Sequence, residues 1–66
     1  SIRIISEEEI YQAIGEMFFD FKIEAEKLRA GEMKMLGFFI GRVNATMQNR
    51  ADPMLIKSAL ERFINK

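Results

Sequence analysis

From Ile10 onward, apolar residues return every three or four positions: Ile10, Ile14, Met17, Phe18, Phe21, Ala25 and Leu28. That period is the signature of one face of an α-helix. No proline interrupts the run, and no glycine after Gly15 does so before Gly31. The spacing therefore predicts either one long helix over about residues 7–30 or two helices bent near Asp20. Ser6-Glu7-Glu8-Glu9 supplies the start. Ser6 is placed to cap the amide of Glu9, the Glu9 carboxylate to return to the amide of Ser6, and Ile5 and Ile10 are spaced for a hydrophobic staple. The three glutamates also suit the positive end of the helix dipole, which accounts for them without catalysis.

A further helical stretch runs from about Glu32 to Gln48. At 100° per residue, Leu36, Phe39, Ile40, Val43 and Met47 share an arc of about 100°, wide enough for a core-facing stripe. Lys34, Gly37, Gly41, Ala45 and Gln48 fall opposite, with Arg42 and Asn44 at the flanks and Phe38 on the outer side. A glycine inside a helix costs roughly 0.5–1 kcal/mol relative to alanine, so an outward glycine ridge calls for a reason. Such a ridge lets another backbone come close, whether of a helix, a partner protein or a nucleic acid. The competing expectation is that Phe38 and the ridge pack against residues 20–30. Asn49 is the expected left-handed cap of this helix. Asp52 then caps, and Pro53 opens, a last helix. Its buried side is expected to hold Leu55, Ile56, Ala59, Leu60, Phe63 and Ile64, with Lys57, Arg62 and Lys66 left outside. The predicted fold is all-α, a small bundle of three to four helices forming a single domain over residues 1–66.

Composition narrows the chemistry. A domain near 66 residues buries only about 60% of the surface its unfolded chain exposes, so a large active-site cavity is not expected. The chain has no cysteine and no histidine, which removes disulfides, thiolate chemistry, most zinc sites and imidazole acid/base catalysis. Ser6 and Ser58 have no evident base, and no glycine loop followed by lysine awaits a phosphate. No catalytic residue, metal or cofactor is therefore expected. Nothing approaches the ~20 consecutive apolar residues of a membrane span. The first residues carry no secretory signal, and the lack of an initiator methionine is read as a processed chain or an excised domain in a reducing, cytoplasmic setting. The formal net charge is zero, but it is divided. Residues 1–26 carry two cations against seven anions, and residues 27–66 carry eight against three, for net charges of −5 and +5. A basic half of this kind points toward a polyanion partner.

The ordered set Ile5–Glu9, Leu28-Arg29-Ala30-Gly31, Leu36-Gly37-Phe38, Ile40-Gly41-Arg42-Val43 and Ala51-Asp52-Pro53 resembles the GatB/YqeY domain family, the tail domain of the aspartyl/glutamyl-tRNA amidotransferase B subunit and of YqeY-type proteins. Three positions depart from that pattern. Phe19-Asp20-Phe21-Lys22 stands where the family has an Asn-Pro-like break, Asn44 where methionine often follows the motif valine, and Asn49 where glycine often precedes the last helix. The resemblance implies a helical module at the C-terminus of a larger polypeptide that contacts the outer, elbow region of tRNA. It would help present misacylated Glu-tRNA(Gln) or Asp-tRNA(Asn) to a glutamine-dependent, ATP-consuming amidotransferase. The implied partners are tRNA, the rest of the B subunit and the other amidotransferase subunits, with no membrane. The implied location is the cytoplasm, or an organelle matrix for an organellar parent. The chemistry of amide formation would belong elsewhere in that complex.

Structured RNA is read largely by shape, through phosphate and 2′-hydroxyl contacts. Lysine, arginine and amide side chains beside a surface with room for close approach meet that need. Lys34, Gly37, Gly41, Arg42, Gln48, Asn49 and Arg50 form the expected RNA-facing set, with Lys57 at its flank. The alternative is a helical protein-interaction adaptor of the YqeY type, with Phe38 and the glycine ridge as its docking groove.

Overall fold

The computed structural model describes residues 5–65; the expectation for Lys66 lies outside them. Four helices follow one another: α1 over Glu7–Asp20, α2 over Lys22–Arg29, α3 over Lys34–Thr46 and α4 over Pro53–Ile64. None is long and apolar enough to cross a membrane. Helix α1 opens as its sequence dictates. The Ser6 Oγ accepts the Glu9 N–H at 3.2 Å, and the Glu9 Oε1 accepts the Ser6 N–H at 3.2 Å. Ile5 is half-buried against the core that Ile10 enters.

The first helical run is broken in two at Phe21, one residue past Asp20. Its backbone, at φ −124° and ψ 62°, has left the helical region, although its N–H still donates to the Met17 carbonyl at 2.8 Å. Neither proline nor glycine forces the break, and tertiary packing accounts for it. With the turn at Phe21, Ala25 and Leu28 are buried while the Phe21 ring meets the Phe38 edge at 5.3 Å and 83°.

Two turns of the same type close α2 and α3. After α2, the Gly31 N–H donates to the Leu28 carbonyl and the Glu32 N–H to the Lys27 carbonyl, both at 3.0 Å. This pair of hydrogen bonds needs a left-handed residue after the cap, and Gly31 supplies it at φ +101°. After α3, the Gln48 N–H donates to the Ala45 carbonyl at 3.0 Å and the Asn49 N–H to the Asn44 carbonyl at 2.8 Å. The residue in the glycine-like position is therefore Gln48, and the cap is Met47. Asn49 is left-handed as expected, but it is the second of a left-handed pair, both at φ 58°. The chain then drops Ala51 into the core, and the Asp52 carboxylate accepts the Met54 N–H at 2.9 Å to start α4.

The core gathers Ile10, Ala13, Ile14 and Phe18 of α1, Ala25 and Leu28 of α2, Phe39 and Val43 of α3, and Ile56, Ala59 and Leu60 of α4. Phe18 stands at its centre, with its ring 4.8 Å from Phe39 and 5.0 Å from Phe63. One expected core residue is not there. Leu55 is 50% exposed, because the buried stripe of α4 centres on Ile56, Leu60 and Phe63 and turns Leu55 toward a shallow groove shared with Tyr11 of α1.

The turn geometry fixes two stability effects of opposite sign. Gln48→Gly relieves a left-handed side chain and should raise the unfolding free energy by about 0.5–1 kcal/mol. Gly31→Ala should lower it by more than about 1 kcal/mol. Urea unfolding followed by circular dichroism reads both.

Candidate nucleic-acid interface

Phe39 and Val43 are fully buried, and α3 can satisfy both only in one rotation about its axis. That rotation turns Gly37 and Gly41 outward. A Cβ built on either glycine would meet nothing within 4 Å, so the ridge does not pack on residues 20–30 and its backbone is open to approach. Phe38 does pack there. Its half-buried ring makes edge contacts with Phe21 and with Phe39, the latter at 5.1 Å. The competing expectation thus holds for the phenylalanine and fails for the glycines.

Arg42 completes this arrangement. Its guanidinium carbon lies 4.4 Å from the centre of the Phe21 ring and 4.7 Å from that of Phe38. Contact with two rings whose planes stand 83° apart holds the cationic head in the corner between them. The N–H edges remain available for two-point hydrogen bonding to a phosphate. Among the described residues Arg42 has no carboxylate partner, whereas Lys34 at the start of α3 has Glu32 at 3.9 Å, with both side chains well exposed. Gln48, Asn49 and Arg50 lie in the turn at the far end of the helix, each open to solvent. Seven of the eight expected residues therefore belong to α3 and the turn that ends it. Lys57 belongs to α4, where it is exposed and, among the described residues, makes no hydrogen bond or ion pair with the others.

Packing adds details to this face that helical spacing does not contain. Asn44, expected at the outer flank, is half-buried, and its side-chain oxygen is shielded with no partner among the described residues. Arg29 enters instead. Its guanidinium lies 5.2 Å from the Phe18 ring, so Arg29 and Arg42 sit at two points of one run of touching rings, Phe18–Phe39–Phe38–Phe21. Its signal was available in the motif Leu28-Arg29-Ala30-Gly31 but was absorbed by the turn. Arg62 is engaged elsewhere. At the α1–α4 edge its interaction with Tyr11, and with Glu7 at 3.9 Å, raises its pKa above the ordinary guanidinium value.

The fold and this face define a small all-helical domain whose distinctive feature is an open helix surface. The chain belongs to the GatB/YqeY family: the family model described as GatB domain matches residues 1–64. It is similar to the B subunit of an aspartyl/glutamyl-tRNA(Asn/Gln) amidotransferase of Persephonella marina, 31% identical over 62 residues that cover 94% of this chain and 13% of the relative. The corresponding protein of Crocosphaera subtropica is 43% identical over 42 residues, covering 64% of this chain and 8% of the relative. That of Desulfotalea psychrophila is 28% identical over 65 residues, covering 98% and 14%. The chain thus spans no more than 14% of the length of these three relatives. No solved structure matches it.

Because nothing crowds the two ridge positions, Gly37→Ala and Gly41→Ala should each stabilise the fold by about 0.5–1 kcal/mol. A rise in the denaturant midpoint at constant slope is the expected result.

Proposed function

We propose that this chain is a non-catalytic tRNA-binding module of the kind carried by the B subunit of tRNA-dependent amidotransferases. It positions misacylated Glu-tRNA(Gln) or Asp-tRNA(Asn) for conversion to the amide form, in the cytoplasm or an organelle matrix. In this role it works beside the rest of the B subunit and the other amidotransferase subunits. The observation that supports it best is the guanidinium of Arg42, held against the rings of Phe21 and Phe38 beside the unobstructed Gly37–Gly41 ridge.

A ribose-phosphate chain can approach the α3 backbone closely only where side chains are missing, and the glycines provide that room. Arg42 then offers its N–H edges to a phosphate. Lys34 at one end and Gln48, Asn49 and Arg50 at the other give further donors, spread over the roughly 20 Å from Lys34 to the turn. Such contacts read shape and backbone rather than base sequence, which suits a module acting far from the amino acid being modified. The name carried by the relatives, as part of a tRNA(Asn/Gln) amidotransferase, supports the same reading. The adaptor reading is less favoured, because Phe38, the anchor it needs, is occupied by Phe21, Phe39 and Arg42.

Titration with tRNA(Gln) and tRNA(Asn) transcripts at two salt concentrations tests the proposal. Binding should fall steeply with salt as phosphate counterions are released. Arg42→Gln should weaken it about ten- to hundredfold, the loss of one charged hydrogen-bonded contact, and lower the salt slope by about one. Arg42→Lys should keep the slope and lose affinity, since lysine preserves charge but not the planar fork. Unchanged affinity and slope in both variants, with helical spectra intact, would remove this face from consideration.

A further inference from the structure

Apart from Phe21, the acidic half of the chain is not used by the proposed RNA face, and it carries the most exposed large apolar side chains. Phe19 is 72% exposed and Ile23 69%. They stand on either side of the break at Phe21, four residues apart. Beside Phe19 the outer surface of α1 is hollowed into an open concavity of about 440 Å³ lined by Gln12, Gly15, Glu16, Phe19 and Asp20. Four of these, Gln12, Gly15, Glu16 and Phe19, occupy positions i, i+3, i+4 and i+7 of one helix. That is the set which forms the hole for a single side chain of a facing helix. Gly15 leaves the hole open: a Cβ there would touch only the Phe63 ring, at 4.0 Å.

Charge selects the occupant. Glu8, Glu16 and Asp20 are exposed along this strip. Lys22, its Nζ 4.8 Å from the Phe19 ring centre, is the cation set against them. A strip of this sign repels a polyanion, so nucleic acid is not its ligand. A helix with an apolar stripe flanked by cations would place a knob in the Gly15 hole, pack along Phe19, and pair its flanks with the carboxylates, as flanking charges do in helix pairs. We infer that the outer face of α1, from Glu8 to Asp20, is a docking site for a cationic amphipathic helix of a protein partner, separate from the α3 face.

The test titrates the isotope-labelled 66-residue chain with two synthetic amphipathic peptides of roughly five helical turns. One has a leucine stripe flanked by arginines; in the other, glutamates replace the arginines. The arginine peptide should shift the amide signals of Gln12, Gly15, Glu16, Phe19 and Asp20 and bind at least about tenfold more tightly than the glutamate peptide. Phe19→Ser and Glu16→Lys, both at exposed positions, should each weaken it by a similar factor while leaving the helical spectrum unchanged. Equal binding of the two peptides, shifts centred on α3, or insensitivity to both substitutions would overturn the assignment. So would sedimentation showing that the chain pairs with itself through this strip more tightly than with the arginine peptide, which would make the occupant a second copy.

Discussion

Phe39 and Val43 have no solvent exposure, and the burial of these two side chains fixes the rotation of α3 about its axis. With that rotation set, Gly37 and Gly41 have no choice but to face outward. Phe38, one residue before the buried phenylalanine, lands at the boundary where it can cover Phe21. The run of rings from Phe18 through Phe39 and Phe38 to Phe21 therefore joins the centre of the core to the surface. Arg42 lies against its outer end. A surface cation is held in place here by the packing that stabilises the domain, without a carboxylate among the described residues to cancel its charge.

Features set by neighbours in sequence were legible before any coordinates. The Ser6–Glu9 box, the Asp52-Pro53 start and the stripe Leu36, Phe39, Ile40, Val43, Met47 each depend on residues within a turn or two of one another. The outward direction of the glycine ridge belongs to the same class, since 100° per residue is enough to place it. Features set by packing were not legible. Phe21 breaks a run with good helical spacing because α2 must turn to bury Ala25 and Leu28, and no local residue announces that. Gln48 joins Asn49 in the left-handed region, although Asn49 is the better candidate by residue type, because α3 ends at Thr46 and the hydrogen-bond pattern counts from there. Leu55 is exposed because the stripe of α4 is centred by its partners rather than by its own composition. The wheel showed where Phe38 points; only the fold shows that Phe21 is there to meet it, or that Arg29 stacks on Phe18.

A chain of 66 residues has a small core, and it nonetheless carries two outward glycines inside a helix and a left-handed glutamine at the end of it. Each is a local sacrifice of stability, and all three lie on or beside the same surface. Open backbone at Gly37 and Gly41 and the positive φ of Gln48 are thus gathered on one helix and its end. The division of charge has a matching physical sense. The basic half contributes the α3 face and its turn, and the acidic half surrounds the exposed Phe19 on α1, so the two surfaces differ in the sign of their charge.

The most direct test of the α3 face is amide shift mapping of the labelled chain on addition of a tRNA(Gln) transcript at low salt. The account predicts changes concentrated at Gly37, Gly41, Arg42 and Gln48 to Arg50, with Gln12 to Asp20 undisturbed. Changes centred on the α1 strip, or a tRNA complex that leaves the glycine ridge unaffected, would contradict it.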